Sequence, residues 1–350
     1  MKPPLHGVRV VEFEGIGPGP LAGRMLADMG AEVTVIARIR PDPVSAAFTA
    51  ASGDNPLRRG KRVVALDLKA DAGRAQALDF VAAADALIEG NRPGVMERLG
   101  LGPADCAARN PRLVYGRMTG WGQDGPLAAA AGHDLNYLAL TGLLSLAARP
   151  GERPIVPPTV VGDATGALGL AFGIACALVD ARVSGQGRVV DAAIVDIVAM
   201  LGTLVHWIRA AGQIDNPALP SPFHDSPFYD VYECADGAYI TLGALEPQFY
   251  ALLLSRLGLS EVNPAAQYDR AQWPALKERF ATLFRSRPRA AWCEVLEGSD
   301  ACFAPVLSIA EAAVHPHNVA RGIYGVAPSG AVDAAGAPRF APLRAVNPHG

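Results

Sequence analysis

Charge is scarce in this sequence. Asp, Glu, Lys and Arg make up only 19% of the 350 residues, while 50% are hydrophobic, against a charged share of roughly 25% in average soluble chains. That balance excludes a disordered chain and demands an extensive core. Positive charge is not in excess: 31 Lys and Arg face 34 Asp and Glu, a formal net charge of −3. The broad cationic field that holds a nucleic acid is therefore missing, and only a local basic pocket for a small anion is compatible. Cysteine is sparse as well. Cys106, Cys176, Cys234, Cys293 and Cys302 are odd in number, far apart and without a C-x-x-C pair, which excludes a disulfide framework and a zinc ribbon. No metal site is expected, and free thiols suit a reducing cytoplasm. The start, Met1-Lys2-Pro3-Pro4-Leu5-His6-Gly7, lacks the apolar centre of an export signal. The longest apolar run, Ala164 to Val179, lies between Asp163 and Asp180. It is shorter than the ~20 residues that span a bilayer, so it reads as a buried helix and no membrane partner is expected. Its many Gly and Ala residues suit a tight interior or a subunit contact.

Turn-forming residues are plentiful: 37 Gly and 29 Pro, with no three-residue period, which excludes collagen and implies a loop-rich compact fold. Val8 to Phe13 reads as a strand, Gly15 to Pro20 as a turn and Leu21 to Met29 as a helix stopped at Gly30. Strand Ala31 to Arg38 completes a βαβ unit. The alternation continues with strand Arg62 to Leu68, helix Ala70 to Ala83, and strands Asp85 to Glu89 and Leu113 to Met118. The fold class is α/β: a Rossmann-like parallel sheet, whose ligands bind beyond the carboxyl ends of the strands. From His133 to Gly212 the pattern is helical, interrupted by the Pro-rich Arg153 to Pro158. The proline-rich Asn216 to Pro227 reads as a linker, and Phe228 to Glu233 with Tyr239 to Leu242 as a hairpin, followed by helices to Gly298. Ser308 to Glu311 has capping-box spacing. These features divide the chain into a large domain over 1–215, a linker over 216–227, a small α+β domain over 228–320, and a return to the large domain over 321–350.

Several positions at strand ends carry chemistry. Gly17-x-Gly19-x-x-Ala22 matches the dinucleotide fingerprint, but Pro18 and Pro20 remove N–H donors that a pyrophosphate needs, and the strand end holds Arg38 where a ribose-binding acid belongs. NAD is disfavoured. Arg38 is either a solvated strand-end cation or a contact for a ribose phosphate. Arg92 and Arg98, beside Gly90-Asn91-Arg92, are either surface arginines or partners for pyrophosphate oxygens. His133, in Gly132-His133-Asp134, is a structural histidine or a proton acceptor. Asp163 precedes the apolar helix and Glu246 precedes Pro247, positions where helix capping is the simple role. His315-Pro316-His317 reads as loop.

Taken together the segments resemble the alpha-methylacyl-CoA racemases of the family III CoA-transferases. The matching stretches include Gly7 to Glu12, Gly15 to Pro20, Asp67 to Lys69, Arg92 to Gly100, Met118 to Gln123, Gly132 to Tyr137, Val161 to Asp163, Gly187 to Asp191, Gly243 to Phe249 and Asp300 to Val306. The resemblance implies an interlocked homodimer, an acyl-CoA thioester as substrate, and no separate cofactor, CoA being part of that substrate. It further implies that His133 with Glu246 forms one acid/base unit and Asp163 the other. The CoA contacts it implies are Arg38, Leu66, Asp67, Leu68, Lys69, Gly90, Asn91, Arg92, Arg98, Gly132, Asp134, Leu135, Asn136 and Tyr137. Ala164 to Ala167 and His224 to Pro227 depart from the family pattern, at segments that shape the acyl pocket.

The activity so implied is inversion of a 2-methyl centre. A thioester acidifies its α-proton, a planar enolate forms, and reprotonation on the opposite face needs a base on one side and an acid on the other. The competing readings are CoA transfer with Asp163 as nucleophile, and a non-catalytic acyl-CoA-binding homologue. His133 argues against transfer, as does the lack of a glutamine between Gly17 and Arg24.

Overall fold

The computed structural model describes residues 2–342 apart from 41, 42, 150, 159 and 328. The last part of the tail read as irregular, residues 343–350, lies outside the described residues. The chain forms two compact units, one running to Leu201 and resuming at Gly322, the other Gly202–Arg321.

The large unit contains β1 (Arg9–Phe13), α1 (Pro18–Asp28), β2 (Glu32–Arg38), α2 (Pro43–Ser52), β3 (Lys61–Leu66), α3 (Asp71–Ala83), β4 (Ala86–Glu89), α4 (Val95–Arg98), α5 (Pro103–Arg109), β5 (Val114–Thr119), α6 (Asp134–Leu140), α7 (Asp163–Ser184), β6 (Val189–Ala193) and α8 (Ile194–Leu201). Its sheet has six parallel strands in the order β3-β2-β1-β4-β5-β6. The order reverses between β1 and β4, which opens a crevice at the carboxyl ends of those strands. Period-two alternation divides the apolar residues between the two faces. Val10, Val33, Ile88 and Val114 pack under α1 and α7, and Val11, Phe13, Ile36 and Leu87 under α3 and α5.

Three readings of this unit change. Helix α1 begins at Pro18, not Leu21, because prolines are harmless in a first turn whose N–H groups have no helical partner. The segment from His133 to Gly212 is not all helical: Val189–Ala193 adds the edge strand β6, its partly exposed VVDAA lacking the clean alternation that marks a half-buried strand. Helix α7 is buried on one face only. Gly166, Leu170, Ile174 and Leu178 face the core, while Leu168, Phe172, Val179 and Val183 are exposed. Among the described residues it is the one helix long and apolar enough to cross a membrane.

The second unit begins with α9 (Thr203–Ala210) and carries a three-stranded antiparallel sheet, β7 (Tyr229–Glu233), β8 (Tyr239–Gly243) and β9 (Phe303–Pro305). Helices α10 (Pro247–Leu257), α11 (Trp273–Phe284), α12 (Arg289–Leu296), α13 (Ile309–Val314) and α14 (Pro316–Arg321) complete it. The core is aromatic, with Phe228, Tyr250, Trp273, Phe280, Phe284 and Trp292 buried. Ser308 caps α13 with the expected box. His315 is not free loop: it ends α13 with Nε2 2.7 Å from Glu297 Oε1.

The boundary between the units falls at 201/202 instead of 215/216, and Asn216 to Pro227 lies inside the second unit. Hydrogen bonds explain this: Ser221 Oγ donates to Gln213 O at 2.8 Å, Arg270 donates to Gln213 Oε1 at 2.9 Å, and Ser226 is buried with its hydroxyl on Pro222 O. The chain then returns to the large unit as a hairpin of β10 (Tyr324–Val326) and β11 (Val332–Ala334). Buried Arg24, on α1, grips its Asp333 with two bonds, at 2.8 and 3.0 Å.

Candidate active site

His133 immediately precedes α6, and Asp163 is the first residue of α7. Both line one cleft of ≈430 Å³ at the carboxyl ends of β1, β4 and β5, together with the Gly15–Pro20 turn, Arg38, Gly90, Asn91, Arg92, Gly132 and Tyr137. A second cleft, of ≈700 Å³, is lined by Arg38, Leu66, Asp67, Leu68, Lys69, Asn91 and Arg98. Phe13, Glu14, Arg38 and Asn91 border both. Thus most of the residues singled out in the sequence converge on two adjoining spaces. Four do not line either, Glu246 of the second unit being one. Asp134 is buried behind Asp163, Asn136 accepts the His133 N–H at 3.0 Å, and Leu135 lies on the surface of α6.

The walls depend on missing side chains. Gly17 has φ 71°, and a Cβ there would lie 3.4 Å from Asp163 Oδ2, so the turn after β1 brings bare backbone up to this carboxylate. A Cβ on Gly120 would overlap the Tyr137 ring, which stands edge-on to Trp121 at 4.7 Å and donates its hydroxyl to Gly132 O.

Charges arrange themselves in two groups. Arg38, Lys69, Arg92 and Arg98 have no carboxylate partner among the described residues, although they line the clefts. Behind them, other charges are fully committed. Glu89 accepts the Asn91 N–H at 2.7 Å and Arg117 Nε at 2.9 Å, while Arg117 also reaches Glu97 at 2.9 Å; this network fixes the Gly90–Arg92 turn. Glu14 accepts the Arg38 N–H at 3.0 Å and Arg58 at 2.5 Å. Lys61 donates to Glu12 at 2.6 Å and to Pro20 O at 2.7 Å, both side chains being buried under the turn. Burial pushes the Glu12 carboxyl up to about 7 against the pull of Lys61, and pushes the Lys61 ammonium down. These supporting residues were not singled out from the sequence. Their signal is a charge inside an otherwise apolar strand, as with Glu12 in β1, Glu89 in β4 and Arg117 in β5.

Asp163 does not take the capping role considered for it: Gly162 occupies the cap position and Asp163 lies inside the helix. Burial first, then the Asp134 carboxylate, raise the Asp163 carboxyl above its ordinary value, with His133 opposing them. Burial and the charge of Asp163 also raise the Tyr137 phenol. Glu246 belongs to the second unit, at the cap position of α10, and makes no capping hydrogen bond with its side chain. Its loop is pinned by Gln267 Nε2 on Ala244 O and Leu245 O, at 2.9 and 3.1 Å, and by the Tyr268 hydroxyl on Leu245 O at 2.6 Å. The carboxylate is exposed.

A sequence profile of CoA-transferase family III matches residues 5–346. The chain belongs to this family. It is 42% identical to the alpha-methylacyl-CoA racemase of Mus musculus over 322 residues, which cover 91% of this chain and 82% of that protein. Identity to the Homo sapiens alpha-methylacyl-CoA racemase is 40% with the same coverage. A probable fatty acyl-CoA transferase of Mycobacterium tuberculosis is 32% identical, over 86% of this chain and 82% of that one. Among solved structures, a CaiB/BaiF family protein from Brucella suis superposes with a TM-score of 0.79 at 26% identity, covering 97% of this family III chain and 93% of its own. The α/β fold expected from the sequence is thus that of the family.

Proposed function

We propose that this family III member interconverts the R and S forms of 2-methylacyl-CoA thioesters. The observation that carries the reading is the placement of two unlike proton carriers, His133 and Asp163, at the starts of two different helices on one cleft. The similarity to proteins named alpha-methylacyl-CoA racemase supports it. His133 and Asp163 take opposite faces of the α-carbon, one removing the proton and the other returning one, and they exchange roles with the hand of the substrate. Each contributes on the order of 10² to 10⁴ in rate. The positive end of α7 favours the enolate oxygen as charge gathers on it. The unpaired cations take the phosphates of CoA, Arg38 the ribose phosphate and Arg92 with Arg98 the pyrophosphate. This chemistry needs no redox carrier. We further infer a homodimer, supported by the exposed apolar residues Leu168, Phe172 and Val179 of α7 and Met200 of α8, acting in the cytoplasm with its cysteines as free thiols.

Exchange started by Asp163 requires its ionised form. Because its carboxyl is raised above the ordinary 3.8, that exchange declines as pH falls through a correspondingly higher value than an exposed aspartate would give. The decisive test incubates the protein with each enantiomer of a 2-methylacyl-CoA in D₂O and follows the α-position by NMR. Racemisation predicts deuterium incorporation with loss of optical activity. New thioester formed only on adding a free acid would instead establish transfer through Asp163, and stoichiometric binding without exchange would establish a binding protein.

A further inference from the structure

The first turn of α7 has no cap of its own: Gly162 holds the cap position and has no side chain to offer. A helix start leaves N–H groups without helical partners, and each must find an acceptor if buried. The Asp163 N–H finds one on another helix, Asp134 Oδ1 at 2.6 Å. Asp134 is only 6% exposed. A Cβ at position 162 would overlap that same oxygen, so the carboxylate rests directly on backbone and any side chain there would have to displace it. The contact joins the residue after His133 to Asp163 itself.

We propose that Asp134 is a positioning residue for proton transfer at Asp163, which clamps the start of α7 by a backbone hydrogen bond and sets the electrostatic environment in which the Asp163 carboxyl gains and loses its proton. The inference rests on the racemase reading for its kinetic consequence, not for its electrostatic one. Three ionisable groups act on Asp163 or feel its charge: Asp134 and His133, which directly precede or open α6, and Tyr137 within it; the turn after β1 contributes none. Asp134 and Asp163 are like charges in a partly dry site, so ionising one disfavours ionising the other. His133 works in the opposite sense. Asp134 thereby keeps Asp163 able to hold a proton nearer neutral pH, where an acid that must also act as a base is most effective.

Asp134→Asn separates clamp from charge, because the amide oxygen still accepts the Asp163 N–H. In ¹³C-labelled protein, with the Asp163 carboxyl resonance assigned by its loss in Asp163→Asn, the Asp163 titration midpoint in Asp134→Asn is expected to fall by about one pH unit. The acid limb of exchange for the enantiomer that Asp163 deprotonates is expected to fall with it. Asp134→Ala, which removes clamp and charge together, is expected to lose at least tenfold of the plateau rate that Asp134→Asn keeps. An unmoved Asp163 resonance in a folded Asp134→Asn protein would overturn the proposal whatever the reaction. A moved resonance with no exchange of either enantiomer by the wild-type protein would leave the electrostatic role standing and overturn the racemase reading instead.

Discussion

In the second unit Lys277 lies 2.7 Å from Asp230, Arg285 lies 3.4 Å from Glu233, and Arg289 is paired with Glu311. At the carboxyl edge of the large unit Arg38, Lys69, Arg92 and Arg98 stand without such partners among the described residues. The cores differ in parallel. Rings of Phe, Tyr and Trp fill the second unit, whereas the large unit packs Val, Ala, Leu and Ile against glycine-bearing helices. Small residues let α7 and the turn after β1 come close to the sheet and line a cleft with backbone. Large rings give rigidity to a body with only three short strands. Cations kept apart from carboxylates repel one another, and an anionic ligand relieves that repulsion, so the large unit is built to be completed by something it binds.

This contrast predicts effects that divide by unit. The largest belongs to the cleft: Asp163→Ala is expected to lose inversion by on the order of 10² to 10⁴-fold, with folding intact by circular dichroism. Phe280, fully buried among Tyr232 and Phe284, does the opposite. Its replacement by Ala is expected to destabilise the second unit by about 3–5 kcal/mol, read as hydrogen exchange that accelerates there first. Intermediate in size is a crossed pair. Lys277→Ala removes a bond to Asp230 and another to His224 O and is expected to cost about 1.5–3 kcal/mol with CoA affinity unchanged by calorimetry. Arg98→Ala is expected to weaken CoA while changing stability by less than about 0.5 kcal/mol. A loss of stability in Arg98→Ala would blur the division. The smallest effect is at Ser308, whose hydroxyl caps α13; Ser308→Ala is expected to cost about 1 kcal/mol in urea unfolding.

The sheet was legible because βαβ units repeat their signals locally: apolar strand, glycine turn, helix, strand. Strand β6 was not, since it lies at a sheet edge after a long helix and its residues serve two neighbours of different kind. The cleft cations, His133 and Asp163 were legible as residue types at strand and helix ends. What escaped was the layer beneath them, Glu12 with Lys61 and Glu89 with Arg117, whose partners lie 49 and 28 positions away. Such pairs are set by strand order, which no local pattern records. Asp134 was read by resemblance as a CoA contact, yet its carboxylate faces the Asp163 backbone, a direction fixed by how α6 meets α7.

The grip of Arg24 on Asp333 gives the large unit a completion date. Arg24 leaves the ribosome well before Asp333, with the entire second unit between them. Until that later segment emerges, the guanidinium has Asp28, 3.6 Å away on its own helix, but lacks the two shorter bonds to Asp333 that complete its burial. The second unit is therefore complete in sequence before the Arg24–Asp333 contact of the large unit can form. A nascent chain halted before Asp333 carries all six strands of the large sheet and the whole aromatic unit, and lacks only the hairpin clamp that ties the two ends of the large unit together.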